Sequence, residues 1–524
     1  MPTRRGAWSV GLAWLFTFLG LFITEASEGA APRNVLLVIA DDYGFDGHEL
    51  YNTNSGASIP PTPTITALAR RGVRFVNAYA YPTCSPSRAA LLTGRYGFRT
   101  GVTQVIASAA EQGLYTNEVT LPDLLSPTYR CASFGKWNLG GDASGPKLLG
   151  GWSSFSGSLP AVLGQTASSF YTWTKTSNGV TRANYSGYAT TDNVNDALTW
   201  TKSQGTNRWF AWIAFNAPHS PHHLPPTNLC PHYAHLSGSA ADLQRNPRSY
   251  FEASVEAMDT ELGRMIAGID TNDTTIVFIG DNGTVPRLIQ PPYTRAGRAK
   301  DTLYEGGVRV PFIVAGPGVV QPGRTSDAVV HVVDLFATLL ELGGVTPSQA
   351  LPQGLVNDSR SLVSILENRP FQPEQLAVLI EDTSATPTGS STGRAARQGR
   401  YKLLELDSEP DELYDLEADP LEGTDLLSRV LSAEEQRSLD ELRAKLAGWR
   451  NIPRIQDPVV VGGHLQLDVG WFAEASFTLW RTVNPDRPDW VQVTSAEVRA
   501  LGPTIRLVDT SPLARGAFYQ VRQP

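Results

Sequence analysis

Four short apolar runs each stop at polar, chemistry-bearing residues, and this repetition constrains the fold more than any other feature of the chain. Residues 35–40 stop at Asp41-Asp42-Tyr43-Gly44, residues 131–135 at Lys136, residues 209–215 at Asn216-Ala217-Pro218-His219, and residues 275–280 at Asp281-Asn282-Gly283. A short continuous apolar run reads as a strand buried on both faces, the kind found in a parallel sheet covered by helices on either side. Residues 64–71 and 250–269 read as helices, the second with Val255, Met258, Leu262, Met265, Ile266 and Ile269 on one face. Residues 73–81 read as another strand and 121–125 as a short helix. Strands alternating with helices define an α/β fold with a mainly parallel sheet, and ligands bind at the carboxyl ends of such strands. All four polar clusters fall at that edge.

The pattern then changes twice. After a strand over residues 310–315 and a helix over 333–342, residues 345–395 are rich in Pro, Ser, Thr and Gly. Residues 400–404 and 412–416 read as strands of a smaller sheet, followed by a helix over 433–449. From about Pro458, short alternating runs such as Phe477-Thr478-Leu479-Trp480 and Phe518-Tyr519-Gln520-Val521 suggest a small appended β-sandwich. A chain of 524 residues accommodates this division.

Arg4 and Arg5, the apolar stretch 7–23 and the small residues Ala26, Ser27, Ala30 and Ala31 form the three-part pattern of an export signal, so a secreted or periplasmic protein is expected. A retained anchor is the alternative, on a run marginally short for a span. The formal net charge of -8 excludes a generally basic surface for nucleic acid, so an anionic ligand would need local cations. Only Cys84, Cys131 and Cys230 occur, too few for a disulfide framework, although the last two could pair.

Cys84 begins the stretch Cys84-Ser85-Pro86-Ser87-Arg88-Ala89-Ala90-Leu91-Leu92-Thr93-Gly94-Arg95. A thiol followed by proline, with an arginine one turn later and an apolar run behind it, reads as a helix start. That position lowers a thiol's pKa and favours a bound anion; an inert buried cysteine is the plainer alternative. The whole pattern, Cys-x-Pro-Ser-Arg with Leu92-Thr93-Gly94-Arg95, resembles the signature of the type I sulfatases, in which the cysteine becomes formylglycine (3-oxoalanine). Tyr414-Asp415-Leu416 with Asp419-Pro420 is similar to the C-terminal subdomain of that family.

The resemblance covers about residues 34–449 and implies an alkaline-phosphatase-like core, with 32–345 as catalytic domain and 346–455 as its C-terminal subdomain; the export pattern marks 1–31 as signal, and the shift in composition marks 456–524 as an accessory β-sandwich-like domain. It implies one divalent ion, calcium, held by Asp41, Asp42, Asp281 and Asn282 beside the modified Cys84; oxygen donors gathered from two strand ends suit such a cation. Arg88, Lys136, His219 and Lys300 are the implied catalytic residues, with Lys136, His219, Lys300 and Asn138 contacting substrate. Maturation would need a formylglycine-generating enzyme, and the substrate would be a sulfate ester of an alcohol, phenol or sugar, with a sulfated glycan plausible for an exported enzyme.

Asn138 departs from the family pattern, which has histidine after Gly-Lys-Trp; asparagine hydrogen-bonds but does not titrate near neutral pH. Two rival readings follow: a phosphoester or phosphonate hydrolase on the same scaffold, and a catalytically impaired binder of sulfated glycans. A zinc site among His222, His223, His232 and His235 is a weak alternative, given their irregular spacing. Asn184, Asn272, Asn282 and Asn357 match the glycosylation sequon, the Asn282 match being accidental if it binds metal. Oligomeric state is not legible.

Overall fold

The computed structural model describes residues 33–107, 111, 113–371, 377–382 and 392–450, and beyond them the short strands between 454 and 522 with Val493. The expected signal, residues 1–31, lies outside the described residues. No helix among those described is long and apolar enough to cross a membrane.

Ten strands form the main sheet: β1 (Asn34–Ala40), β2 (Gly72–Tyr79), β3 (Arg130–Lys136), β4 (Trp152–Ser158), β5 (Thr172–Ser177), β6 (Val180–Ser186), β7 (Trp209–Ala214), β8 (Thr274–Gly280), β9 (Phe312–Ala315) and β10 (Arg324–His331). Their order is β10-β2-β9-β8-β1-β7-β3-β4-β5-β6. From β8 through β1, β7 and β3 to β4 every pair is parallel. The sheet is mixed because β9 runs antiparallel to both its neighbours and β5 and β6 add an antiparallel hairpin at one edge.

The continuous apolar runs are explained by a core on each face. Val35, Leu37 and Ile39 of β1 join one core, and Leu36, Val38 and Ala40 the other. In β7, Phe210, Trp212 and Ala214 alternate with Trp209, Ala211 and Ile213 in the same way. The helices Pro63–Arg70, Ala189–Ser203 and Pro247–Ala267 cover one face. Cys84–Thr93 and Leu335–Leu342 cover the other.

A second, antiparallel sheet follows: β11 (Ala377–Asp382), β12 (Gly393–Gln398), β13 (Tyr401–Leu406) and β14 (Glu412–Asp415). The helix Ala433–Arg450 packs Leu439, Leu442 and Leu446 against one side of it. Val378, Ile380, Ala395 and Leu404 on the other side meet Leu303, Tyr304 and Val308 of the main domain. Eight further short strands between 454 and 522 make a five-stranded and a three-stranded sheet.

Cys131 and Cys230 are both free and belong to different cores, so they do not pair.

Candidate active site

The central parallel block brings the four polar clusters to one edge, because β8, β1, β7 and β3 are consecutive in the sheet and point the same way. The ladder continues past the strand ends. Asp41 N–H donates to the Ala217 carbonyl at 3.1 Å, Asp281 N–H to Ala40 at 3.1 Å, and Trp137 N–H to Ser158 at 2.8 Å. The loops that carry the site are thereby fixed by the same bonds that define the sheet. Asp42 and Asn138 take left-handed backbone angles, φ 62° and 55°, which asparagine and aspartate tolerate best and which turn both chains sharply at the strand ends.

Gly135 sits one residue before Lys136 with φ 91°, and a Cβ there would lie 2.0 Å from the Ala214 carbonyl oxygen. Glycine therefore lets β3 press against β7 where Lys136 leaves the sheet.

Cys84 opens its helix and is 1% exposed. Its thiol donates to Asn138 Oδ1 at 2.9 Å, and Asn138 Nδ2 donates to the Ile106 carbonyl at 2.9 Å, which fixes the amide with its oxygen toward residue 84. The sequence expectation of an acidified thiol is overturned. Burial pushes the Cys84 thiol above its ordinary value and outweighs the pull of Lys136 and Lys300.

Arg88, fully buried, donates to Asp281 Oδ2 from Nη2 at 2.7 Å and from Nε at 3.2 Å, and from Nη1 to the Lys136 carbonyl at 2.8 Å. Lys136 Nζ pairs with Asp41 Oδ2 at 2.6 Å, and Lys300 Nζ pairs with Asp42 Oδ1. Burial works against the Lys136 ammonium, but Asp41, Cys84 and Asp281 together outweigh it and raise the group above its ordinary value. Asn282 Nδ2 also donates to Asp42 Oδ1, at 2.8 Å. Burial raises the Asp42 carboxyl, but His219, Lys300 and Asn282 together hold it below the usual range. Asp281 is pushed up to about 6 by burial and by the charge of Asp41, against the pull of Arg88 and Lys136.

His219 lies with Nε2 3.6 Å from Asp42 Oδ2, and its Nδ1 donates to the Ser220 carbonyl at 2.7 Å. Burial lowers its imidazole to about 4 in spite of Asp42. All the residues expected in the site are thus within one connected set of contacts.

The other histidines scatter. His223 stacks on Phe170 with ring centroids 3.9 Å apart, and the exposed His232 pairs with Glu256 at 2.6 Å. Among the described residues, the groups able to share an ion are Asp41, Asp42 and His219, and Asp41, Cys84 and Asp281. The donor set suits a hard divalent cation: carboxylate and amide oxygens dominate it, and Asp41 Oδ1 and Asn282 Oδ1 are buried without a hydrogen-bond partner.

Sequence reasoning missed several supports. Ser87 Oγ donates to the Asp281 carbonyl at 2.5 Å and accepts from Tyr81 N–H at 2.9 Å, stapling the Cys84 helix to the end of β8. Ser158 and Asn216 bond to each other beside Lys136, which pairs with Ser158 in the β3–β4 register. Ser87 lay inside the Cys84 motif and could have been found there; Ser158 carries no local signal. Lys300 is held by the backbone, its N–H donating to Thr284 at 3.0 Å and that of Asp301 to Pro82 at 3.2 Å.

The family model described as Sulfatase matches residues 33–345, and one described as N-sulphoglucosamine sulphohydrolase, C-terminal, matches 298–450. Human N-acetylgalactosamine-6-sulfatase is 28% identical over 362 residues, 62% of this chain, and the match spans 64% of that relative's length. Arylsulfatase G of Rattus norvegicus is 29% identical over 370 residues, 63% of this chain and 69% of its own. In fold, the chain is similar to Ps i-CgsB, also solved in complex with k-i-k-neocarrahexaose, at a TM-score of 0.68 and 22% identity, covering 80% of this chain and 93% of that one. The PsFucS1 sulfatase from Pseudoalteromonas sp. gives 0.63 and 22%, covering 80% and 91%.

Proposed function

Since the chain belongs to the sulfatase family, we propose that it hydrolyses the sulfate ester of an alcohol, phenol or sugar, with residue 84 carrying the nucleophile. The observation that carries this reading is the meeting of Cys84 with three buried cations, Arg88, Lys136 and Lys300, and with the oxygens of Asp41, Asp42, Asp281 and Asn282. A buried thiol held protonated is a poor nucleophile, and this supports its conversion to formylglycine. Bound at the four oxygen ligands, calcium would polarise a sulfate oxygen, and the hydrated aldehyde at position 84 would supply a hydroxyl for attack at sulfur.

The chain's own residues then have separate tasks. Arg88 holds Asp281 in place and adds fixed positive charge beside residue 84. Lys136 and Lys300, raised and fully charged, bind sulfate oxygens and offset charge on the transferring group. Asn138 accepts a hydrogen bond from residue 84 and orients it. His219 is the donor to the leaving oxygen; a sulfate anion bound beside it adds to the pull of Asp42 toward the protonated ring.

We assign residues 32–345 to catalysis, 346–455 to the C-terminal subdomain and 456–524 to an accessory β-sandwich-like domain, after an export signal over 1–31. The relatives' sugar ligand and sugar-sulfatase name support a sulfated glycan as substrate. A partner enzyme that generates formylglycine completes the reading.

Asn138 favours one other reading, a binder of sulfated glycans, because its amide takes up no proton. Release of sulfate from para-nitrophenyl sulfate, lost in Cys84→Ala by about a thousandfold or more, is the expected result. Equal inactivity of both proteins would favour the binder. Faster turnover of the matched phosphate ester would favour a phosphoester hydrolase instead.

A further inference from the structure

A cavity of about 440 Å³ lies where the edge of the main sheet meets the second sheet, and none of the described residues that line it belongs to the charged site. Asn77 of β2 and Val329 of β10 line it from the main domain, with Arg309 from the segment before β9; Arg397 of β12 lines it from the second sheet. Arg397 is 5% exposed. Its Nε donates to the Gly399 carbonyl at 3.0 Å, and its Nη1 donates to Asn77 Oδ1 at 3.2 Å and to the Tyr79 hydroxyl. Arg309 donates from Nε to the Val76 carbonyl at 2.8 Å, and its Nη1 lies 3.6 Å from Glu305 Oε2. Among the described residues, Nη2 of neither arginine has a hydrogen-bond partner.

The charges packed behind this cavity do not balance. Glu305 faces Arg309 and Lys402 directly, and it faces Arg397 through the Tyr79 hydroxyl, which donates to it at 3.0 Å. Glu422 also pairs with Lys402. Three cations therefore share two carboxylates. Asp327 and Glu417 complete the charged lining, but both are exposed, and Glu417 Oε2 lies 3.8 Å from Arg400. Water and salt screen charges at the surface, whereas a buried guanidinium is screened much less.

We infer that this cavity binds one small tetrahedral oxyanion, of the size and charge of inorganic sulfate or phosphate, on the Nη2 groups of Arg309 and Arg397. A guanidinium is planar and always charged, and its N–H groups match the oxygens of such an ion. The volume leaves room for water that the ion keeps. The exposed carboxylates in the lining disfavour a polyanionic chain, which would have to lie along them. Bound there, the ion supplies the negative charge that the Glu305 network lacks and ties β2 to β12 across the junction of the two sheets.

Calorimetric titration of the wild-type protein with sodium sulfate and, separately, sodium phosphate, at an ionic strength held constant with sodium chloride, provides the test. Asn77→Asp is nearly isosteric and puts a carboxylate against Arg397, so it is expected to weaken the anion about tenfold or more. Asn77→Ala removes the amide without adding charge and is expected to stay within about twofold of wild type. Should Asn77→Asp fail to fold, Arg309→Gln serves, with the same expected loss. Sensitivity shown by one ion alone supports the site and identifies its preference. Wild-type protein that binds neither ion, binding that Asn77→Asp leaves unchanged, or an equal loss in Asn77→Asp and Asn77→Ala overturns the assignment. The titration needs no turnover at residue 84, so its outcome is separate from that of the sulfate-ester reading.

Discussion

Asp41 and Asn282 each keep one side-chain oxygen buried and unpartnered, at a cost of about 1–3 kcal/mol for each such group. A cation held by these oxygens would recover that cost, and its binding would then be linked to folding. Protein stripped with a chelator and then titrated with calcium is expected to melt at a higher temperature, with about 2.7 kcal/mol of stabilisation once free calcium is a hundredfold above Kd. A melting temperature that responds to neither treatment would remove these residues as ligands. The acidic pairs were legible because each punctuates an apolar strand, a purely local signal. Ser158 was not, since a serine acquires meaning only when β4 brings it to Asn216 and Lys136. The state of the Cys84 thiol was also illegible: a helix start argues for acidification, and only the packed structure reveals that burial wins.

At the scale of elements, Lys402 is one of the groups by which the second sheet holds the segment that carries Lys300. Lys402 of β13, fully buried, pairs with Glu305 at 3.0 Å and Glu422 at 2.9 Å, and Glu305 follows Lys300 in the same loop. Burial raises the Glu305 carboxyl, but Lys402, Arg309 and Arg397 outweigh it and hold the group below its usual value. Lys402→Met leaves two carboxylates buried around an apolar side chain. We expect it to destabilise the protein by about 3–5 kcal/mol in urea unfolding, and a loss below about 1 kcal/mol would show that the network is not structural. The sequence made β1, β7 and β8 legible because strands buried on both faces are apolar throughout. The Ala189–Ser203 helix buries Thr190, Asp192, Asn193 and Thr201 beside Val194 and Leu198, so its periodicity is masked. β6 is largely exposed and polar, and the direction of β9 is set by its neighbours rather than by its own residues.

For the whole molecule, acid should be the weak flank. His48 and His331 are buried in different parts of the fold, and each Nδ1 accepts a backbone N–H, from Leu50 at 3.0 Å and Val333 at 3.2 Å. Burial, with Arg74 and Arg360 respectively, lowers both from 6.5 to about 3. The unfolded chain therefore takes up protons first as pH falls. The stability these rings contribute is complete above pH 6.5 and is lost below it, by about 1.4 kcal/mol per pH unit for each. Urea midpoints measured from pH 7 down to pH 5 are expected to fall along this slope and to fall less steeply in His331→Gln; a flat profile would contradict it. The burial of Cys84 also sets an order of events in time. In the folded chain Cys84 is 1% exposed, with its thiol on Asn138 from the end of β3. Any enzyme that converts it must therefore act on the nascent or unfolded chain. If residue 84 is the proposed precursor, a peptide spanning residues 84–95 is expected to accept conversion while the folded, thiol-bearing protein resists it, and a chain that folds first would keep its thiol.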